Sequence, residues 1–169
     1  MTQMMDGLKR TGGHVETQNS SLNQGAALMS IASLAFIGYA AAFLVRSFAG
    51  GGFELGVDTL NGVGPDNLDA LNPAIMHYIK HVHVALSGFI AATGVAVAAL
   101  SWYGVRRGEW WAWIAAVAAP VVGLAIALPY HYTGTFEFGW VAHLGPIYLA
   151  TLLFVAGALL ALRGMTRPS

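Results

Sequence analysis

The side chains best able to do chemistry in this sequence are its six histidines: His14, His77, His81, His83, His131 and His143. Neutral imidazole is the commonest metal ligand in proteins and suits zinc, copper, iron and nickel. His77 and His81 stand four apart in the run HYIKHVH, so on a helix they share a face and can offer two imidazoles to one ion. At roughly 100° per residue, Lys80 lies about 60° to one side of His77 and His83 about 120° to the same side. His83 is therefore expected to face a different neighbour, the fourth apolar segment. His131 and His143 flank a short stretch that contains Glu137. With no cysteine in the chain, thiolate ligation, disulfides and cysteine nucleophiles are excluded. A site must be built from histidine with carboxylates drawn from Glu137, Asp58, Asp66 or Asp69. His14 lies in a polar N-terminal stretch and is set aside.

Elements able to position these residues are written in the hydropathy. The chain has 169 residues, 56% hydrophobic and only 9% charged, against about 25% charged in a soluble domain. Crossing a hydrocarbon core of roughly 30 Å takes about 20 apolar residues in a helix. Residues 25–48, 73–103, 110–130 and 138–162 qualify, and they predict an all-α integral membrane protein, a four-helix up-down-up-down bundle. The second segment is longer than needed and becomes truly apolar only near Val84, so its first turns are expected to stand above the membrane surface. Asn72 and Pro73 form a helix start. Pro120 predicts a kink in the third segment. Residues 1–24 read as a polar, disordered tail, 49–72 as a long loop and 164–169 as a short tail. Gly64, Pro65, Asp66, Leu68 and Leu71 predict a short amphipathic helix within that loop.

Orientation follows from the basic residues. Lys9, Arg10, Arg106, Arg107, Arg163 and Arg167 share one side, while Arg46 and Lys80 lie on the other with Glu54, Asp58, Asp66, Asp69 and Glu137. Both termini are thus expected to be cytoplasmic, in a bacterial inner membrane. Trp102, Tyr103, Trp110, Trp111 and Trp113 form an inner interfacial belt, and Tyr130, Tyr132, Phe136, Phe138 and Trp140 an outer one. The same topology carries five histidines to the outer face.

Those five imply a site for a transition metal ion (copper, zinc or iron) or a single haem. His77 and His81 lead on spacing, joined by His143 and His131 as metal ligands, with His83, Lys80 and Glu137 completing the cofactor's surroundings. The competing reading is interfacial: each imidazole bonds only to water or lipid headgroups. Lys80 is expected to snorkel outward or pair with a loop acid; turned inward it would favour an anion, headgroup or quinone instead. The pattern is similar in part to single-haem, quinone-linked membrane anchors, which take one axial histidine from each of two helices; here that would be His77 or His81 with His143. Di-haem membrane cytochromes use histidine pairs at both faces, and this inner face has none. Membrane desaturases carry more histidines, on the cytoplasmic side. The function expected is electron transfer, metal handling or an oxidation near the membrane surface. The alternative is an accessory or assembly subunit of a larger respiratory or photosynthetic membrane complex. A zero formal net charge gives no reason to expect nucleic acid, and the lipid bilayer is the first partner.

Overall fold

The computed structural model describes residues 2–49, 52–134 and 137–166, with side chains described from residue 20 onward. Helix α1 runs Thr2–Ala49, α2 Pro65–Leu71, α3 Pro73–Ala99, α4 Trp110–His131, α5 Trp140–His143 and α6 Gly145–Thr166. Helix α3 continues through one π turn, Leu100–Gly104, and a 3-10 turn, Val105–Arg107. No strand occurs among the described residues. The tail expected over residues 1–24 falls mostly where no side chain is described, and residues 20–24 already belong to α1.

Four helices are long and apolar enough to cross a bilayer: Ser20–Ala49, Pro73–Arg107, Trp110–His131 and Gly145–Thr166. These fit a multi-pass membrane protein. Their surfaces are apolar where a soluble bundle would be charged, as Leu34, Phe89, Ile126 and Leu149 illustrate. Lipid rather than water is the natural solvent of such faces.

Small residues let the helices approach. Ala26, Ala32, Ala112, Ala116, Ala158 and Ala161 form most of the main core, with Met29, Val97, Val105 and Phe154. Gly25 and Gly157 bring α1 and α6 into backbone contact: a Cβ on Gly157 would lie 2.8 Å from the Met29 nitrogen and 2.9 Å from the Gly25 oxygen. Gly94 of α3 lies against Ser33 and Ile37 of α1, and Gly104 against Ala112. Where helices have no water to squeeze out between them, such close van der Waals contact is what holds them. Five buried serines, Ser30, Ser33, Ser47, Ser87 and Ser101, each donate to the carbonyl four residues back, so none is left unpaired in the apolar interior.

Lengths decide what protrudes. At 1.5 Å per residue, α4 and α6 span about 33 Å, whereas the 35 residues of Pro73–Arg107 span about 52 Å. Since Gly104 meets Ala112 at the start of α4, the end of α4 lies level with about Ala85, and the earlier turns of α3 project beyond it. There they form a cap. Phe53, Val57 and Met76 make a second small core, with Leu60, Leu68, Ile79 and Phe138 packed on it. Helix α2 is the short loop helix expected from sequence, and the Asn72 side chain accepts from the Ala74 amide at 3.0 Å to start α3.

One expectation changes. The fourth segment is not one helix from residue 138: α5 ends at His143, Leu144 is a turn, and α6 begins at Gly145. Pro146 lacks the N–H that would bond the Ala142 carbonyl, and its ring crowds that carbonyl. Helix α4 includes both Pro120 and Pro129 within its length.

The close α1–α6 approach is directly testable. Gly157→Ala should lower stability by about 1–3 kcal/mol through overpacking against backbone, read as a lower thermal midpoint in detergent. Gly123→Ala, with open space around its Cβ, should be neutral or slightly stabilising.

Candidate metal centre

Arg46, near the end of α1, organises the chain that follows. Its Nε donates to the Phe53 and Glu54 carbonyls at 3.3 and 3.2 Å, and its terminal nitrogen to the Val57 carbonyl at 3.4 Å and the Asp58 carboxylate at 2.9 Å. Asp58 is almost fully solvated, so that ion pair adds little. Charge-assisted bonds to carbonyls stabilise more, and they fold residues 53–57 around the guanidinium.

That fold brings the loop onto α5. The Gly139 amide donates to the Gly56 carbonyl at 2.7 Å. Gly56 has φ +77°, and a Cβ there would lie 2.9 Å from the His143 amide nitrogen and 3.0 Å from the Gly139 oxygen. Only glycine meets both demands, a left-handed backbone and a bare α-carbon.

His143 sits beneath this joint, only 1% exposed. Its Nδ1 lies 2.6 Å from the Leu55 carbonyl. A carbonyl can only accept, so Nδ1 carries the proton and a neutral ring keeps its lone pair on Nε2. His131 repeats the pattern, with Nδ1 2.9 Å from the Ala127 carbonyl. The two Nε2 atoms face each other at 2.9 Å, and the Glu54 carboxylate stands 3.5 Å from Nε2 of His143. Ligand atoms of Glu54, His131 and His143 all lie within 4.8 Å of one another. Three acceptors therefore converge with no donor among them, unless a proton on one ring or a cation between them relieves the repulsion.

The distances suit an ion. Metal–nitrogen bonds of about 2.0–2.1 Å place two imidazole nitrogens roughly 2.9 Å apart at a right angle and roughly 3.3 Å apart in a tetrahedron. Each ring is also oriented by a backbone carbonyl behind it, the usual second partner of a metal-bound histidine. Phe138 packs on both rings, at centroid distances of 5.9 Å from His131 and 5.0 Å from His143. An open cavity of about 450 Å³ lies alongside, lined by His131, Tyr132, Glu137, Phe138 and Trp140. Tyr132 closes its rim by bonding to the Tyr148 hydroxyl.

The expected site residues are thus divided. His131 and His143 come together, and Glu137 shares the cavity with His131. His77, Lys80 and His81 are exposed on α3 and lie outside the cluster. Lys80 makes no ion pair among the described residues; it points outward. His83 is 8% exposed and packs on Phe43 of α1 at 4.8 Å. Its Nδ1 is the one buried side-chain nitrogen or oxygen among the described residues with no hydrogen-bond partner.

Glu54 is the residue that sequence reasoning missed. It counted only toward the charge asymmetry, while Asp58, Asp66, Asp69 and Glu137 were the candidate carboxylates. Asp58 is instead held by Arg46. The available signal was its place in the loop, close behind the basic end of α1.

Arg46→Ala should release this loop. Cleavage after Glu54 by a glutamate-specific protease should then accelerate at least several-fold in folded protein, while Asp58→Asn leaves it nearly unchanged. Equal cleavage of wild type and Arg46→Ala would remove Arg46 from this role.

Comparison with protein-family models, with curated proteins and with solved structures finds no match for this chain.

Proposed function

We propose that the chain is a multi-pass membrane metalloprotein holding one transition metal ion at Glu54, His131 and His143. The observation that carries this reading is the pair of Nε2 atoms at 2.9 Å, each on a ring whose Nδ1 is committed to a carbonyl. Two histidines and one carboxylate are a recurrent set for zinc and non-haem iron, and copper also accepts imidazole. An ion is favoured over a haem. Axial nitrogens on opposite faces of a porphyrin stand about 4 Å apart, twice the roughly 2.0 Å bond, and at 2.9 Å no macrocycle fits between them.

Three protein ligands beside an open cavity leave a coordination position for water or a small exogenous ligand, as in catalytic rather than structural metal sites. The role that follows is metal-assisted chemistry, electron transfer or metal handling at the membrane surface. Antiparallel contacts, Gly25 with Ala161 and Gly94 with Ser33, support an up-down-up-down order of spans. The distribution of basic residues supports cytoplasmic termini, with the metal centre at the outer face of a cell membrane. A second reading, an accessory subunit of a larger membrane complex, draws on α4, which buries only Ala112 and Ala116 and leaves a face for partner helices or lipid.

Protein purified in mild detergent should carry near-stoichiometric zinc, copper or iron by elemental analysis. His143→Ala and His131→Ala should each lose it while remaining folded by circular dichroism, and Glu54→Gln should weaken it. Metal-free wild type that takes up no ion on titration would leave the accessory-subunit reading, tested by co-migration with other membrane proteins on native gels. The chain has no cysteine, so single replacements report orientation cleanly. Thr59→Cys should react with an impermeant thiol reagent in intact cells, and Arg107→Cys should not.

A further inference from the structure

His77 and His81 take no part in the cluster at Glu54, His131 and His143, yet they have what a metal chelate needs. Both lie in the unbroken helix Pro73–Ala99, four residues apart, where neighbouring Cβ atoms are about 5–6 Å from each other. Two imidazoles at this spacing on one face are the helical half of a common zinc site. Both side chains are exposed, and neither makes a hydrogen bond or ion pair among the described residues. They also fall in the turns of α3 that project beyond the end of α4. Nothing has to be broken or desolvated for an ion to bind.

We propose that His77 and His81 form a second, exchangeable transition-metal site. Two imidazoles supply only part of a coordination shell and leave the rest to water, so exchange is fast. An ion held at Glu54, His131 and His143, the last of them buried, would exchange more slowly. For a nitrogen chelate of this kind divalent copper binds most tightly of the first-row ions.

Lys80 lies between the two histidines in sequence and is exposed beside them. Its ammonium opposes a divalent ion held by the pair. At a separation of roughly 7 Å in water at physiological salt, that repulsion amounts to about a twofold loss of affinity. The site is thereby weak as well as open, the character of a capture site that yields its ion rather than a store that keeps it. The exposed pair needs nothing from the buried centre, so the two readings fail separately.

The test uses the full chain in lipid nanodiscs at neutral pH. Cu(II) is titrated, and bound copper is measured before and after a brief chelator wash. Wild type should hold one chelator-labile Cu(II) per chain in addition to any retained ion. His77→Ala/His81→Ala should lose the labile ion and keep the retained one, with an unchanged circular-dichroism spectrum. Lys80→Gln should tighten the labile site about twofold, which a merely structural role for this helix would not produce. His131→Ala/His143→Ala should keep the labile ion. Labile Cu(II) of unchanged affinity in the His77→Ala/His81→Ala variant would overturn the proposal, as would a wild type with none.

Discussion

The 2.7 Å hydrogen bond from the Gly139 amide to the Gly56 carbonyl joins two loops far apart in the chain, and the candidate centre exists only because they meet. One loop brings Glu54 and the Leu55 carbonyl. The other brings Phe138 and, one helical turn on, His143. If the loops parted, His143 would lose the acceptor that sets its tautomer, and Glu54 would lose its place beside the imidazoles. The joint depends on a glycine at position 56, because a β-carbon would press on the His143 amide. Arg46 supports it from the other side by gathering three carbonyls of residues 53–57.

Helix packing sets the level at which this happens. Alanine and glycine contacts hold α1, α3 and α6 close together, and back-bonded serines keep the interior free of unpaired hydroxyls. A helix of 35 residues laid beside two of 22 must overhang them, and here the overhang builds a small cap around Phe53, Val57 and Met76. The cap shelters one side of the cluster, while the cavity by Tyr132, Glu137 and Trp140 leaves another side open. With His143 buried and Glu54 and His131 partly exposed, the three candidate ligands are oriented and still open on one side, an arrangement suited to metal-ion chemistry. His83 adds a buried imidazole whose Nδ1 has no hydrogen-bond partner among the described residues, a polar group that burial makes costly unless something bonds to it.

Much of this was legible in the sequence, for identifiable reasons. Hydropathy marks the spanning helices because each must be apolar over a length set by the bilayer, a property of consecutive residues. The Asn72–Pro73 start and the short helix after Gly64 were equally local, since capping and turn chemistry act over three or four residues. The overhang of α3 could be read from where its apolar run begins. The break between α5 and α6 falls at Leu144, just before Pro146, whose missing N–H and bulky ring do not let the helix continue unbroken from residue 138. The real start lay at Gly145, not Phe138.

The sequence by itself determined that four apolar helices form, that five histidines gather toward one end, and that any metal site must use nitrogen and oxygen ligands. Only the tertiary structure decided which histidines meet. Spacing favoured His77 and His81, because within one helix neighbouring side chains follow from the 3.6-residue period alone. His131, His143 and Glu54 belong to three separate segments, and their meeting depends on which helix packs beside which and on how two irregular loops close. Such contacts arise from the summed packing of the whole bundle and from a backbone conformation that glycine permits at position 56. No local pattern of residue types encodes them.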